Sequence, residues 1–203
     1  MKSTTLFVAV LTIAILSLTL SNLADAKPVA SITGGSGGTP VGGSAHGWQF
    51  IANDSIVVTH LGLYDEGSDG LVLDHLIGLF RLSDASLLTS GTVLQGSSNM
   101  LIDSFRYMDT PDVQLSAGED YVIAAYSDQF NGDFMIVQPT GLSVDPSITI
   151  TDGRWGIQSF GIPENADQSR RFGPNFLFQI PEPTAIGMSC LALIGLGICR
   201  WRK

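Results

Sequence analysis

The chain has 203 residues, enough for one ordinary domain or two small ones. Ten Lys and Arg stand against 19 Asp and Glu, a formal net charge of −9. Such a balance excludes the basic surface that displaces counterions from nucleic acid, so no nucleic-acid partner is expected. The apolar excess sits at the two ends, which divides the chain into three parts.

The first part reads as a secretory signal over 1–26. Lys2 supplies a positive start, and Leu6 to Leu20 is fifteen residues without a charge. Small residues at Ala24 and Ala26 then stand at the two positions a signal peptidase recognises. As a helix the apolar run rises about 22 Å, short of the roughly 30 Å hydrocarbon core, which favours a cleaved leader over a permanent anchor. The Sec translocon and signal peptidase are the partners this implies, with cleavage after Ala26.

Residues 27–43 are rich in Gly, Ser, Thr and Pro, including Gly34-Gly35-Ser36-Gly37-Gly38. This composition predicts a flexible linker, with the structured body starting near Ser44 and ending near Ile180. Inside the body short alternating runs recur, separated by turn residues. Val57, Thr59, Leu61 and Leu63 fall on one face of a run that ends at Tyr64; Ile56, Val58 and His60 fall on the other. Further runs cover His75 to Leu82, Leu87 to Leu94, Met100 to Tyr107, Tyr121 to Tyr126, Phe134 to Val137 and Asn175 to Ile180. Asn131-Gly132 is a turn-forming dipeptide, and Pro111 and Pro139 are placed between runs. Strands about ten residues apart, with no long helical period, predict an all-β antiparallel β-sandwich over 44–180.

The body offers little that looks catalytic. His46, His60 and His75 lack metal-ligand spacing, although His60 and His75 can meet if their strands are adjacent. Between Ser44 and Ile180 no Gly-x-Ser-x-Gly elbow is present. Two acidic turns, Asp65 to Gly70 and Asp128 to Asp133, make Asp65, Asp69, Asp128 and Asp133 weak calcium candidates, the only cofactor the residues suggest. The same turns also suit solvated hairpins. Trp48, Trp155, Tyr64, Tyr107, Tyr126 and Phe130 are the aromatics available to stack on a sugar, and the two tryptophans are equally natural core residues. Phe105 and Tyr107 are expected in the core, with Arg106 facing solvent or paired to a carboxylate. Arg170-Arg171, the basic pair of the body, is expected to balance nearby carboxylates. From Lys27 to Ile180 there are 6 basic and 17 acidic residues, a balance of −11. That balance disfavours an anionic polysaccharide unless a cation bridges the two.

The last part is Pro181-Glu182-Pro183, then sixteen uncharged residues from Thr184 to Cys199, then Arg200-Trp201-Arg202-Lys203. Pro183 breaks regular structure before the apolar helix and Thr184 can cap it. Arg200, Arg202 and Lys203 form a basic stop that stays cytoplasmic, as Lys2 does, so everything between is exported. Both cysteines, Cys190 and Cys199, lie in this tail, so the body has no disulfide to rely on.

This order over 181–203 resembles the PEP-CTERM sorting signal of Gram-negative bacteria. In that family the helix holds the exported protein transiently in the inner membrane, and exosortase, a cysteine transpeptidase, acts at the tripeptide. A plain tail anchor is the alternative; its helix spans roughly 24 Å, marginal for permanent residence. The body resembles a jelly-roll-like domain family of unknown function found upstream of such tails. The resemblance is carried by Gly47-Trp48-Gln49-Phe50, Thr59 to Asp65, Asp74 to Phe80, Phe105-Arg106-Tyr107, Leu115 to Val122 and Gly173-Pro174-Asn175-Phe176. Together the two resemblances imply a non-enzymatic protein of the cell surface or extracellular matrix. The alternative is a carbohydrate-binding module attached to extracellular polysaccharide.

Overall fold

A computed structural model describes residues 26–40, 43–127, 133–168 and 171–181. The strands, in chain order, are β1 (Lys27–Pro28), β2 (Ala30–Ser31), β3 (Gly34–Pro40), β4 (Ala45–Ala52), β5 (Ile56–Tyr64), β6 (His75–Arg81), β7 (Leu87–Val93) and β8 (Met100–Ile102). They continue as β9 (Phe105–Leu115), β10 (Asp120–Tyr126), β11 (Phe134–Thr140), β12 (Ser143–Val144), β13 (Ile148–Gly156), β14 (Asn165–Asp167), β15 (Arg171–Phe172) and β16 (Pro174–Gln179). Every pairing is antiparallel. A single 3-10 turn, Glu66–Ser68, is the helical element among the described residues.

Two sheets dominate. One has the order β1-β16-β5-β9-β8, the other β14-β13-β4-β10-β6-β7. Alternation explains why they face each other. Trp48, Phe50 and Ala52 project from one side of β4, and their cross-strand neighbours Ile123 and Tyr121 on β10 share that side. The aromatics of this layer meet those of β16: Trp48 stacks on Phe176 at 5.9 Å and Phe50 lies 5.4 Å from the same ring. Phe172 closes over Trp48 at 5.7 Å, and the indole N–H of Trp48 donates to the Pro174 carbonyl at 2.7 Å. A buried Trp thus keeps its one polar atom satisfied.

The segment expected as a linker over 27–43 is built into the fold from Lys27 onward. Val29, Ala30 and Ile32 are buried, and β3 pairs with β11. Composition misleads here because a Gly-rich strand needs no side-chain pattern of its own when a neighbour supplies the ladder. This segment covers the far face of the five-stranded sheet. Asn175, Gly62 and Tyr107 are successive partners across β16, β5 and β9. The Asn175 amide there donates to the Ala30 carbonyl at 2.7 Å and to the Tyr107 hydroxyl at 2.9 Å. Gly62 is required beneath that ring, because a Cβ would lie 2.5 Å from it.

Several expected boundaries shift for local reasons. In β5 Thr59 is an extra residue against β16 and resets the alternation, so Ile56 and Val58 face the core before it and Leu61 and Leu63 after it. The run Met100 to Tyr107 splits at Asp103-Ser104, whose φ values of 49° and 63° suit a two-residue hairpin turn. Pro111 and Pro139 lie inside β9 and β11, each at a break in register, where proline is tolerated in a strand. β4 and β13 were not expected as strands; Gly, Gln and Asp interrupt their apolar pattern.

Candidate functional site

The long loop after β5 and the strand β9 meet in a buried ion pair. Arg106 Nε donates to Asp65 Oδ2 at 2.7 Å, with the two side chains 5% and 2% exposed as residues. The guanidinium also donates to the carbonyls of Ser97 at 3.0 Å, Asn99 at 3.1 Å and Ser68 at 3.1 Å. Asp65 accepts the Gly70 amide on both oxygens. Phe105 and Tyr107 are buried as expected, on the opposite face from Arg106, which is not solvent-facing. Its fork fastens the 65–70 loop and the 97–99 loop to the sheet edge. Asp65, a weak calcium candidate from its turn sequence, therefore already has a cation. Asp69, in the same loop, is exposed.

A second polar knot lies near the same end of the molecule. Asp133 accepts the amides of Val72 at 2.9 Å and Leu73 at 3.0 Å and faces His75 Nε2 at 2.7 Å. His75 is fully buried, and among the described residues its Nδ1 has no hydrogen-bond partner. Burial pushes the Asp133 pKa up, and the hydrogen bonds from His75, Val72 and Leu73 more than offset that, holding it below the ordinary carboxylate value. This weak calcium candidate is again committed to protein donors. Asp128, the remaining candidate, lies outside the described residues, as do Phe130 and the Asn131-Gly132 turn. Among the described residues, no three His, Cys, Asp or Glu side chains gather in a group able to hold a metal ion.

The histidines are dispersed. His60 belongs to the five-stranded sheet and lies 4.0 Å from Asp109, while His75 belongs to the six-stranded sheet, so the two do not meet. His46 Nε2 is 2.6 Å from Ser44 Oγ. A hydroxyl beside an imidazole is the start of a nucleophile, but an oriented third group and an oxyanion site are what complete one.

Of the aromatics, Trp48 and Tyr107 are core, and burial pushes the Tyr107 phenol strongly up. Tyr64 packs edge-on to Phe105 at 5.6 Å. Burial, then Glu66 and Asp65, raise its pKa. Trp155 is 39% exposed, opposite His46 in the ladder. Tyr126 borders a cavity of about 250 Å³ with Asp74, Leu76, Thr92 and Ser127. The outer face of the six-stranded sheet holds a polar strip that the sequence did not single out. Gln49 donates to Asp120 at 3.0 Å and accepts from Arg154 at 3.1 Å through Nε, with a second bond through Nη2. Only spatial pairing of β4, β10 and β13 joins these residues, so no local motif marks them.

The two ends of the described chain are neighbours. β1 pairs with β16 through Lys27↔Phe178 and Pro28↔Leu177. Lys27 Nζ reaches Asp145 at 2.7 Å and lies 5.1 Å over the Phe178 ring. Burial raises the Asp145 pKa, and the Lys27 and Ser147 hydrogen bonds bring it below its ordinary value. A cavity of about 220 Å³ lies beside this clasp, lined by Pro28 to Ser31, Asp103 and Ser143 to Pro146. Ala26 packs against the core, whereas Ile180 is exposed and so is Pro181. Ala24, Glu182, Pro183, Arg200, Arg202 and Lys203 lie outside the described residues, as do the apolar segments at both ends and Arg170. Among the described residues, no helix is long and apolar enough to cross a membrane. No protein-family model matches this chain, and no curated protein matches it either.

Proposed function

We propose that the chain is an exported, non-enzymatic protein of the cell surface or extracellular matrix of a Gram-negative bacterium, sorted through its C-terminal segment. In this reading its body is a jelly-roll-like β-sandwich of the kind that precedes PEP-CTERM tails. The Sec translocon and signal peptidase deliver it, the inner membrane holds it transiently, and exosortase acts at Pro181-Glu182-Pro183. The observation that carries this reading is the order of segments. A leader ending in Ala24-Asp25-Ala26 precedes a cysteine-free body, and a tripeptide, an apolar run and a basic end follow it. The neighbouring positions of β1 and β16 support it, because two segments bound for one membrane then leave the body from one edge. The polar knots support a structural role for the buried charges, since Arg106 ties the 65–70 and 97–99 loops to β9 and Asp133 ties its segment to Val72, Leu73 and His75.

Intact mass of the mature protein from its native host tests the reading. A species beginning at Lys27 and ending near Pro183 is expected. A species that retains Arg200 to Lys203 would turn the sorting signal into a lasting anchor and sink the released-matrix reading.

The exposed ring of Trp155 favours a second reading, a carbohydrate-binding module, because aromatic faces stack on sugars. Binding on a glycan array that is lost in Trp155→Ala would establish it. A silent array would remove it.

A further inference from the structure

The outer face of the six-stranded sheet carries a recess around Tyr126. Ile77, Ile123 and Ala125 are buried in the core and fix which side of β6 and β10 is inward. Their chain neighbours Leu76 and Tyr126 therefore point outward. Tyr126, Leu76 and Thr92 are successive ladder partners across β10, β6 and β7, so their side chains form one row. With Asp74 and Ser127 they line a cavity of about 250 Å³. Tyr126 is half-buried, whereas Thr92 and Asp74 are exposed. Asp74 Oδ1 accepts the Gln95 amide at 2.7 Å, which holds the carboxylate in place at the rim. The next outward row is Gly47, Ala124 and Gly78, with no side chain longer than a methyl. The half-buried ring of Phe160 lies over Gly78, where a Cβ would come within 2.5 Å of it.

A hexose has a face of C–H groups and a rim of hydroxyls that both donate and accept. The Tyr126 ring suits the first. A carboxylate that accepts one amide can still take hydroxyl donors, and the Thr92 hydroxyl can donate or accept. Pockets that enclose a drug-sized ligand hold roughly 300–1,000 Å³, so this smaller cavity suits one ring of a longer chain. The carboxylate at its rim, on a strongly acidic body, repels anionic sugars.

We propose that this recess binds a hexose unit of an uncharged polysaccharide, with Tyr126 as the stacking platform and Asp74 and Thr92 as the hydroxyl partners. The site is distinct from the one Trp155 would form. Trp155 pairs with His46, and His46 with Ala125, so Trp155 points to the opposite side of the sheet from Tyr126.

The test uses the full-length chain in a detergent without a sugar headgroup. Cellohexaose, maltohexaose and mannohexaose are the neutral probes, and an alginate hexamer is the anionic one. Saturation-transfer NMR titrations read binding and Kd. A Kd of about 1 mM for at least one neutral probe is expected, as suits a contact with one ring. Tyr126→Ala should weaken it at least about tenfold, while Tyr126→Phe keeps the ring and most of the affinity. Asp74→Asn and Thr92→Val should each cost about threefold. These two exposed positions decide the matter should Tyr126→Ala not fold. Trp155→Ala should leave the affinity unchanged. Neutral-probe binding untouched by Tyr126→Ala, Asp74→Asn and Thr92→Val would overturn the site, and if Trp155→Ala abolished that binding the carbohydrate reading would survive at Trp155. Binding of the alginate hexamer alone would overturn the uncharged ligand and the site with it. Binding of no probe would overturn both this site and the Trp155 reading.

Discussion

The loop end that holds the two polar knots and the edge that holds the two termini solve different problems. At the knots, long loops are fastened by buried carboxylates and their donors: Asp65 with Arg106, and Asp133 with His75, Val72 and Leu73. At the termini a two-residue strand is held by two ladder pairs and one ion pair, with Lys27 half exposed. Buried partners cannot be removed singly without stranding a charge, whereas a half-exposed pair is cushioned by water. The contrast teaches that breaking a knot costs more than loosening the terminal edge.

The largest expected effect tests the knots. Arg106→Met leaves the Asp65 carboxylate buried without its cation and should cost about 3–5 kcal/mol in urea unfolding. A loss below about 1 kcal/mol would mean that water reaches Asp65 and that the knot is an ordinary surface pair. Next comes Gly62→Ala, which drives a methyl into the Tyr107 ring under the N-terminal cover. It should cost about 1–3 kcal/mol, and an unchanged Tm would show that the cover yields freely.

The acid response follows. Asp133 has a folded pKa below its ordinary value of 3.8. The unfolded chain therefore binds more protons, and the stabilisation is fully present above pH 3.8 and fades as pH falls through the folded pKa. The Tm of the parent protein should drop across that window, and Asp133→Asn should lower Tm at neutral pH while flattening the drop. Parallel profiles for the two proteins would remove Asp133 from the account. The smallest effect belongs to the terminal edge: Asp145→Ala should cost no more than about 1 kcal/mol of global stability. A larger loss would make the terminal edge as costly to break as the knots and erase the contrast between them.

Particular residues show how much of this was legible. Alternation placed β6, β10 and β16 nearly where they lie, because each keeps one parity along its length, and it placed β7 as well although Leu88 is an extra residue against β6. It failed in β5, where the Thr59 bulge against β16 flips the parity so that Val58 and Leu61 share a side. It also failed in β3, whose glycines carry no parity at all. Among candidate site residues, Arg106 was correctly linked to a carboxylate as one of two options, yet nothing near it in sequence names Asp65 as the partner. Asp65 and Asp133 looked like ion ligands because carboxylates in Gly-rich turns suit a cation. The structure supplies a guanidinium to one and an imidazole with two amides to the other.

By itself the sequence determined that the body is all-β, that it carries no cysteine and that it is strongly acidic, because composition and local period depend only on neighbours along the chain. It also carries the whole of the sorting proposal, since short targeting segments are recognised as linear strings. The tertiary structure decided which charges are neutralised, which tryptophan is core and which is exposed, and that Lys27 lies beside Phe178. Those outcomes depend on residues some 40 to 150 positions apart being brought together, and long-range pairing is set by the packing of whole sheets.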